Sequence, residues 1–107
     1  MVYTDNSYEW DPSKAERNFR KHGVRFEEAI EAFNDLDVLF LTDPNHSTLS
    51  ELRERLIGKS SIKILLVIFT VRFPDMKSRI ISARLANRKE RAQYEKAKKA
   101  KHEALSK

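Results

Sequence analysis

Apolar positions recur along this chain in short runs whose period changes from helical to alternating and back. In "DPSKAERNFRKHG", Ala15 and Phe19 share one helical face, with Asp11 placed as N-cap, Pro12 at the first helical position and Gly23 as the left-handed residue that ends the helix. "FEEAIEAF" repeats that spacing: Phe26, Ala29, Ile30 and Phe33 fall at i, i+3, i+4 and i+7, which predicts a second, shorter amphipathic helix. Strand formers then take over. Val38 to Thr42 predicts one strand, "DPNHSTLS" a loop, and "LRERLIG" with "IKILLVIFTV" a hairpin connected around "GKSS". "RFPDMKS" turns the chain into a last strand, "RIISARL". After it, "ANRKERAQYEKAKKAKHEA" reads as a terminal helix, with Asn87 and Glu90 set as a capping box.

This order of elements predicts an α+β domain: two N-terminal helices, an antiparallel sheet of about four strands and a C-terminal helix, with the helices against one face of the sheet. At 107 residues the chain, 1–107, makes one domain with no room for separate cofactor and substrate lobes. The segment 98–107 has few apolar residues to dock and is expected to fray. Trp10, just ahead of the first helix, is placed to staple onto its apolar face.

Charge narrows the function. The formal net charge is +5, and Arg84 to Lys107 alone holds 9 Lys and Arg against 3 Asp and Glu, leaving 12 against 13 elsewhere. A basic quarter without a strongly apolar face suggests nucleic acid before membrane, although a simply solvated helix has the same composition. The absence of cysteine excludes disulfides, Cys-ligated zinc and thiol catalysis. Two glycines leave no Gly-rich phosphate loop, and His22, His46 and His102 lack metal-ligand spacing, so neither cofactor nor metal is expected. The longest apolar run, Ile64 to Val71, is too short to span a bilayer, and the polar start is unlike a signal peptide; a cytoplasmic protein is expected.

Two places could carry chemistry. Strict alternation in "RIISAR" puts Arg79 and Arg84 on opposite faces of their strand. Arg84 precedes the basic helix, whose N-terminal N–H groups attract anions, and with Arg88 one turn in, the junction is a candidate phosphate site; a structural ion pair is the alternative for Arg84. "RKHGV" is ambiguous by itself, because Arg20, Lys21 and His22 sit where cations stabilise the last carbonyls of any helix.

Taken together, "EWDPSKAERNFRKHGVRFEEA", "DPNHS", "ELRERLIG" and "RIISARLANRKERAQYE" resemble the BrnT family, ribonuclease toxins of bacterial type II toxin–antitoxin pairs. The motifs run in order from Glu9 to about Glu95, and their joint occurrence is far more specific than any one of them. The resemblance implies a RelE-like fold, metal-independent cleavage of RNA, free or on the ribosome, and inhibition of translation. It also implies neutralisation by a small antitoxin with a DNA-binding domain, in a heterotetramer that reaches operator DNA only through the antitoxin.

On the matching motifs, the implied chemistry is attack of the RNA 2′-oxygen on the adjacent phosphorus, with cations stabilising the phosphorane. Lys21 and His22 are then candidates for proton transfer, imidazole being the more natural because its ordinary range is near neutral. Glu51 is an alternative base. Arg53, Arg79, Arg84 and Arg88 are candidates to hold phosphate, and Tyr94 to stack on a base or donate a hydrogen bond. His46 matches "DPxHS", with loop capping an equal alternative. Which group is base and which acid stays open, and a non-catalytic nucleic-acid-binding or regulatory module of the same fold is the competing reading. The chain departs from the family pattern at Arg25, where a Ser N-cap worth about 1 kcal/mol is lost. It departs again in the longer Val71–Ser78 turn and in the lysine-rich stretch beyond Glu95.

Overall fold

Caps and turns chosen by local sequence set the helices. In the computed structural model, which describes residues 3–4, 7–42, 51–72 and 74–106, Asp11 accepts the Ser13 N–H at 2.8 Å and Pro12 begins α1 (Pro12–His22). Gly23, at φ 70°, ends it with its N–H on the Phe19 carbonyl. Arg25 has no acceptor for α2 (Phe26–Phe33), so only half of a capping box forms there, the Arg25 N–H donating to Glu28 at 2.7 Å. The Arg25 guanidinium instead lies over the Phe19 ring, 4.2 Å from its centroid, and Phe19 stays 39% exposed.

The described residues contain six strands in one sheet: β1 (Tyr3–Thr4), β2 (Tyr8–Trp10), β3 (Leu39–Thr42), β4 (Glu51–Ser60), β5 (Lys63–Arg72) and β6 (Ser78–Leu85). Their order is β1-β2-β6-β5-β4-β3. All pairings are antiparallel except β2 with β6, so the fold is α+β as expected, but the sheet is mixed and two strands wider than the hydrophobic pattern indicates. Trp10 belongs to this added edge and meets Phe26 edge-on at 5.8 Å.

The β4–β5 hairpin turns at Ser61 and Ile62, not around Gly58. Gly58 is inside the strand because α2 passes directly over it: a Cβ there would come within 2.4 Å of the Ala32 carbonyl oxygen.

The helices divide between the two faces, which corrects the expectation that all lie on one. Helices α1 and α2 cover a core of Trp10, Phe26, Leu56, Leu65, Val67, Phe69 and Ile80. Helix α3 (Arg88–Leu105) packs on the opposite face, where Tyr94 and Ala86 meet Ile57 and Leu66. Tyr94 also bolts α3 to the segment after α2, its hydroxyl donating to Asp35 at 2.5 Å. Asp35 accepts in addition from the N–H groups of Asp37 and Lys59. Burial would raise the Asp35 carboxyl, but these three donors hold it below its ordinary value. The same burial and the Asp35 carboxylate push the Tyr94 hydroxyl well above the usual phenol range. Further along, Lys101 reaches the Leu36 carbonyl and His102 lies 2.7 Å from Asp37, so α3 remains helical to Leu105 where fraying from 98 is expected of the sequence.

Candidate active site

The face that carries α3 is only partly covered by it. Helix α3 lies over Ile57 and Leu66, near the β4–β5 turn. Toward the other end of the same face, strand register lines up polar rows about 7 Å apart. Arg53, Thr70 and Arg79 form one row, and Arg55, Ile68 and Ser82 the next, followed by Ile57, Leu66 and Arg84.

Arg79 and Arg84 therefore share a face, contrary to strict alternation. The cause is a β-bulge: Ile68 pairs with Ser82 but Phe69 with Ile80, so Ile81 is an extra residue that resets the phase of β6. Four arginines from two strands flanking β5 thus project from one surface.

Their polar atoms are unevenly satisfied. Arg84 makes a two-pronged bond to Glu90, Nη1 to Oε1 at 2.8 Å and Nη2 to Oε2 at 3.0 Å. Glu90 also accepts the Asn87 N–H while Asn87 accepts the Glu90 N–H, completing the capping box of α3. Burial opposes ionisation of Glu90, yet Arg84, the Asn87 N–H and the charge of Arg55 together hold its carboxyl below the ordinary value. Arg79 has a looser ion pair with Glu9, at 3.8 Å. By contrast the Arg55 Nε and the Thr70 Oγ1 are buried without a hydrogen-bond partner among the described residues, although Thr70 is only 3% exposed. Buried polar atoms are rarely left so, and here two of them lie beside clustered guanidinium groups.

A concavity lies on each face of the sheet. One of about 270 Å³ opens between β3, β4 and the first turns of α3. Another, of about 290 Å³, lies on the opposite face between α1 and α2, where Trp10, Phe19 and Phe26 line it together with Glu16, Arg25 and Glu27.

A family model described as "Ribonuclease toxin, BrnT, of type II toxin-antitoxin system" matches residues 10–90, most of the chain. The chain belongs to the BrnT family. As a BrnT protein it is a ribonuclease toxin with a protein antitoxin as partner. Comparison with curated proteins gives no match. No helix among the described residues is long and apolar enough to cross a membrane.

The remaining BrnT motif residues fall at different distances from the arginine face. Helix α1 is anchored to the outer edge of β6 by Asn18, whose side-chain amide donates to the Ala83 carbonyl at 2.8 Å and accepts the Ala83 N–H at 3.1 Å, as a neighbouring strand would. His22 follows Asn18 by one helical turn and is half-buried on that side; Lys21 is exposed. Neither side chain forms a hydrogen bond or ion pair among the described residues, and α1 as a whole lies on the face opposite the arginines. Arg88 is exposed in the first turn of α3. Tyr94 is corrected from a base-stacking residue to a structural one: at 1% exposure, with its hydroxyl on Asp35, it has no ring face to offer. Glu51 begins β4, but its side chain, like all of His46, lies outside the described residues.

Sequence reading missed Arg55, Thr70, Glu90 and Asn18. Arg55 is two residues from Arg53 and so on its face by alternation, a signal that was present. Asn18, at i+3 from Ala15, lies on the apolar side of α1, the mark of a buried polar anchor.

Proposed function

We propose that this BrnT protein is a metal-independent endoribonuclease whose active site is the arginine face beside α3, and that it arrests translation by cutting RNA. The observation that carries the reading is the bulge-aligned set Arg53, Arg55, Arg79 and Arg84 around the two orphaned atoms, Arg55 Nε and Thr70 Oγ1. A phosphodiester laid across this surface gives those atoms an acceptor. The 2′-oxygen of the RNA then attacks phosphorus and its proton passes to a base, while the bond to the 5′-oxygen breaks and an acid protonates the leaving group. The products are a 2′,3′-cyclic phosphate and a free 5′-hydroxyl. Guanidinium groups stay charged throughout, so the arginines stabilise the phosphorane rather than move protons. His22 and Lys21, in the last turn of α1, are the proton-transfer candidates, with Glu51 the alternative base.

A cytoplasmic toxin of this kind is tolerated only when covered. The antitoxin is expected to shield the arginine face and, through a DNA-binding domain, to join two toxin–antitoxin pairs into an operator-binding heterotetramer. The test is antitoxin-free protein with total RNA in EDTA, with and without ribosomes, beside Arg55→Ala and Arg84→Ala. New ends bearing cyclic phosphate from wild type alone are expected. Intact RNA under both conditions, with cleavage restored by magnesium, would reject the metal-independent reading; RNA left intact with magnesium and ribosomes as well would leave a nucleic-acid-binding module.

A further inference from the structure

The 270 Å³ cavity beside the arginines is lined by Leu41, Arg55, Asn87, Lys89, Glu90 and Gln93. Its hydrogen-bonding capacity is lopsided. The acceptors are committed: the Asn87 Oδ1 takes the Glu90 N–H, and the Glu90 carboxylate takes Arg84 and the Asn87 N–H. The donors are not. The Arg55 Nε is buried and unpartnered, and the side chains of Lys89, a donor only, and Gln93, whose amide can donate or accept, make no hydrogen bond among the described residues. Leu41, half-buried on β3, supplies an apolar wall.

This is a small, donor-rich slot with one apolar side, and its volume is just under the roughly 300 to 1,000 Å³ of small-molecule sites. It has the size of one nucleobase rather than a base-paired helix. Among the bases, guanine presents two adjacent acceptors, O6 and N7, the pattern that arginine and lysine meet best. Adenine sets an N6 donor beside N7, which the Arg55 Nε–H and the Lys89 ammonium cannot accept, leaving it only the Gln93 amide. We propose that the cavity binds a guanine base of the RNA next to the phosphate held by the arginines, so that the toxin cuts beside guanine. The place of that base in catalysis rests on the ribonuclease reading; the pocket's preference for guanine does not.

The two can be tested apart. Titration calorimetry of the full chain with guanosine, adenosine and uridine 3′-monophosphates and with inorganic phosphate should give guanosine monophosphate an affinity about tenfold or more above the other nucleotides. The double variant Lys89→Met, Gln93→Leu, at two exposed helix positions, should erase that advantage, with its thermal melt confirming the fold. Equal affinities, no measurable nucleotide binding, or a guanine preference that survives the double variant would overturn the proposal. In parallel, RNA oligonucleotides that differ only by guanine or adenine at one position are mapped for cleavage. Guanine-selective binding with all RNA left intact upholds the pocket and removes the ribonuclease reading. Cleavage indifferent to the base, with no guanine advantage in binding, does the reverse.

Discussion

Replacing Asn18 by Ala should unpin α1 from the sheet. Asn18 is 8% exposed, and its side chain serves three backbone groups: the carbonyls of Val24, at 3.0 Å, and Ala83, at 2.8 Å, and the Ala83 N–H, at 3.1 Å. Alanine leaves all three unmet, next to residues Val24 and Ala83 that are themselves buried. A buried group that loses its partner costs about 1 to 3 kcal/mol, and because water reaches a sheet edge more easily than a core, the low end applies, about 3 kcal/mol in all. The better helix propensity of alanine recovers roughly 0.6 kcal/mol. The net loss of about 2 to 3 kcal/mol should lower the melting temperature by roughly 10 to 20 °C for a domain near this size. Urea unfolding should show a lower midpoint at unchanged slope, and the Ala83 amide should lose its protection from hydrogen exchange. Asn18→Asp should be worse, since it aims a carboxylate oxygen at two carbonyls. A loss below about 1 kcal/mol with the Ala83 amide still protected would refute the anchoring role.

Three further outcomes follow from the α3 side of the sheet. Glu90→Gln keeps a capping side chain but removes the carboxylate that occupies Arg84, so RNA affinity by fluorescence anisotropy should rise and become more salt-sensitive; weaker binding would show that Glu90 is needed to orient Arg84. Tyr94→Phe should cost about 1 kcal/mol in denaturant unfolding yet leave RNA cleavage unchanged, whereas lost cleavage at intact stability would return Tyr94 to the substrate site. Asp35 and Glu90 are held below their ordinary values of 3.8 and 4.5, so their stabilisation is present above those values and disappears as pH falls through the lower folded ones. Melting temperature should be level from about pH 7 to 5 and decline steeply below about 4.5; a maximum below pH 4 would contradict the sign.

What was legible in the sequence is what depends on near neighbours. The Asp11–Pro12 start and Gly23 stop of α1, and the Asn87–Glu90 box of α3, are decided within a few residues, and all appear in the structure. What was not legible depends on partners far along the chain. The short strands β1 and β2 acquire their place by pairing with each other and with β6, and a parallel pairing leaves no local mark. Gly58 reads as a turn residue until α2 is seen to lie on it. The face chosen by α3 follows from Tyr94 reaching Asp35, a contact without a sequence period. For the site, the strand-to-helix junction pointed to Arg84 and motif resemblance added Arg53 and Arg79, but only the bulge at Ile81 brings Arg79 round to join Arg84. The sequence offered no sign of that bulge, because "RIISAR" alternates equally well with or without it.

The central claim is that RNA is held on the arginine face, and its most direct measurement is a titration of isotopically labelled protein with a short 2′-O-methyl RNA that cannot be cut, followed by nuclear magnetic resonance. The account predicts that the side-chain Nε–H signals of Arg53, Arg55, Arg79 and Arg84, with the backbone amides of β4 and β6 around them, shift together at one affinity. Shifts confined to the groove between α1 and α2, at Trp10, Phe19 and Phe26, with those arginine signals unmoved, would contradict it.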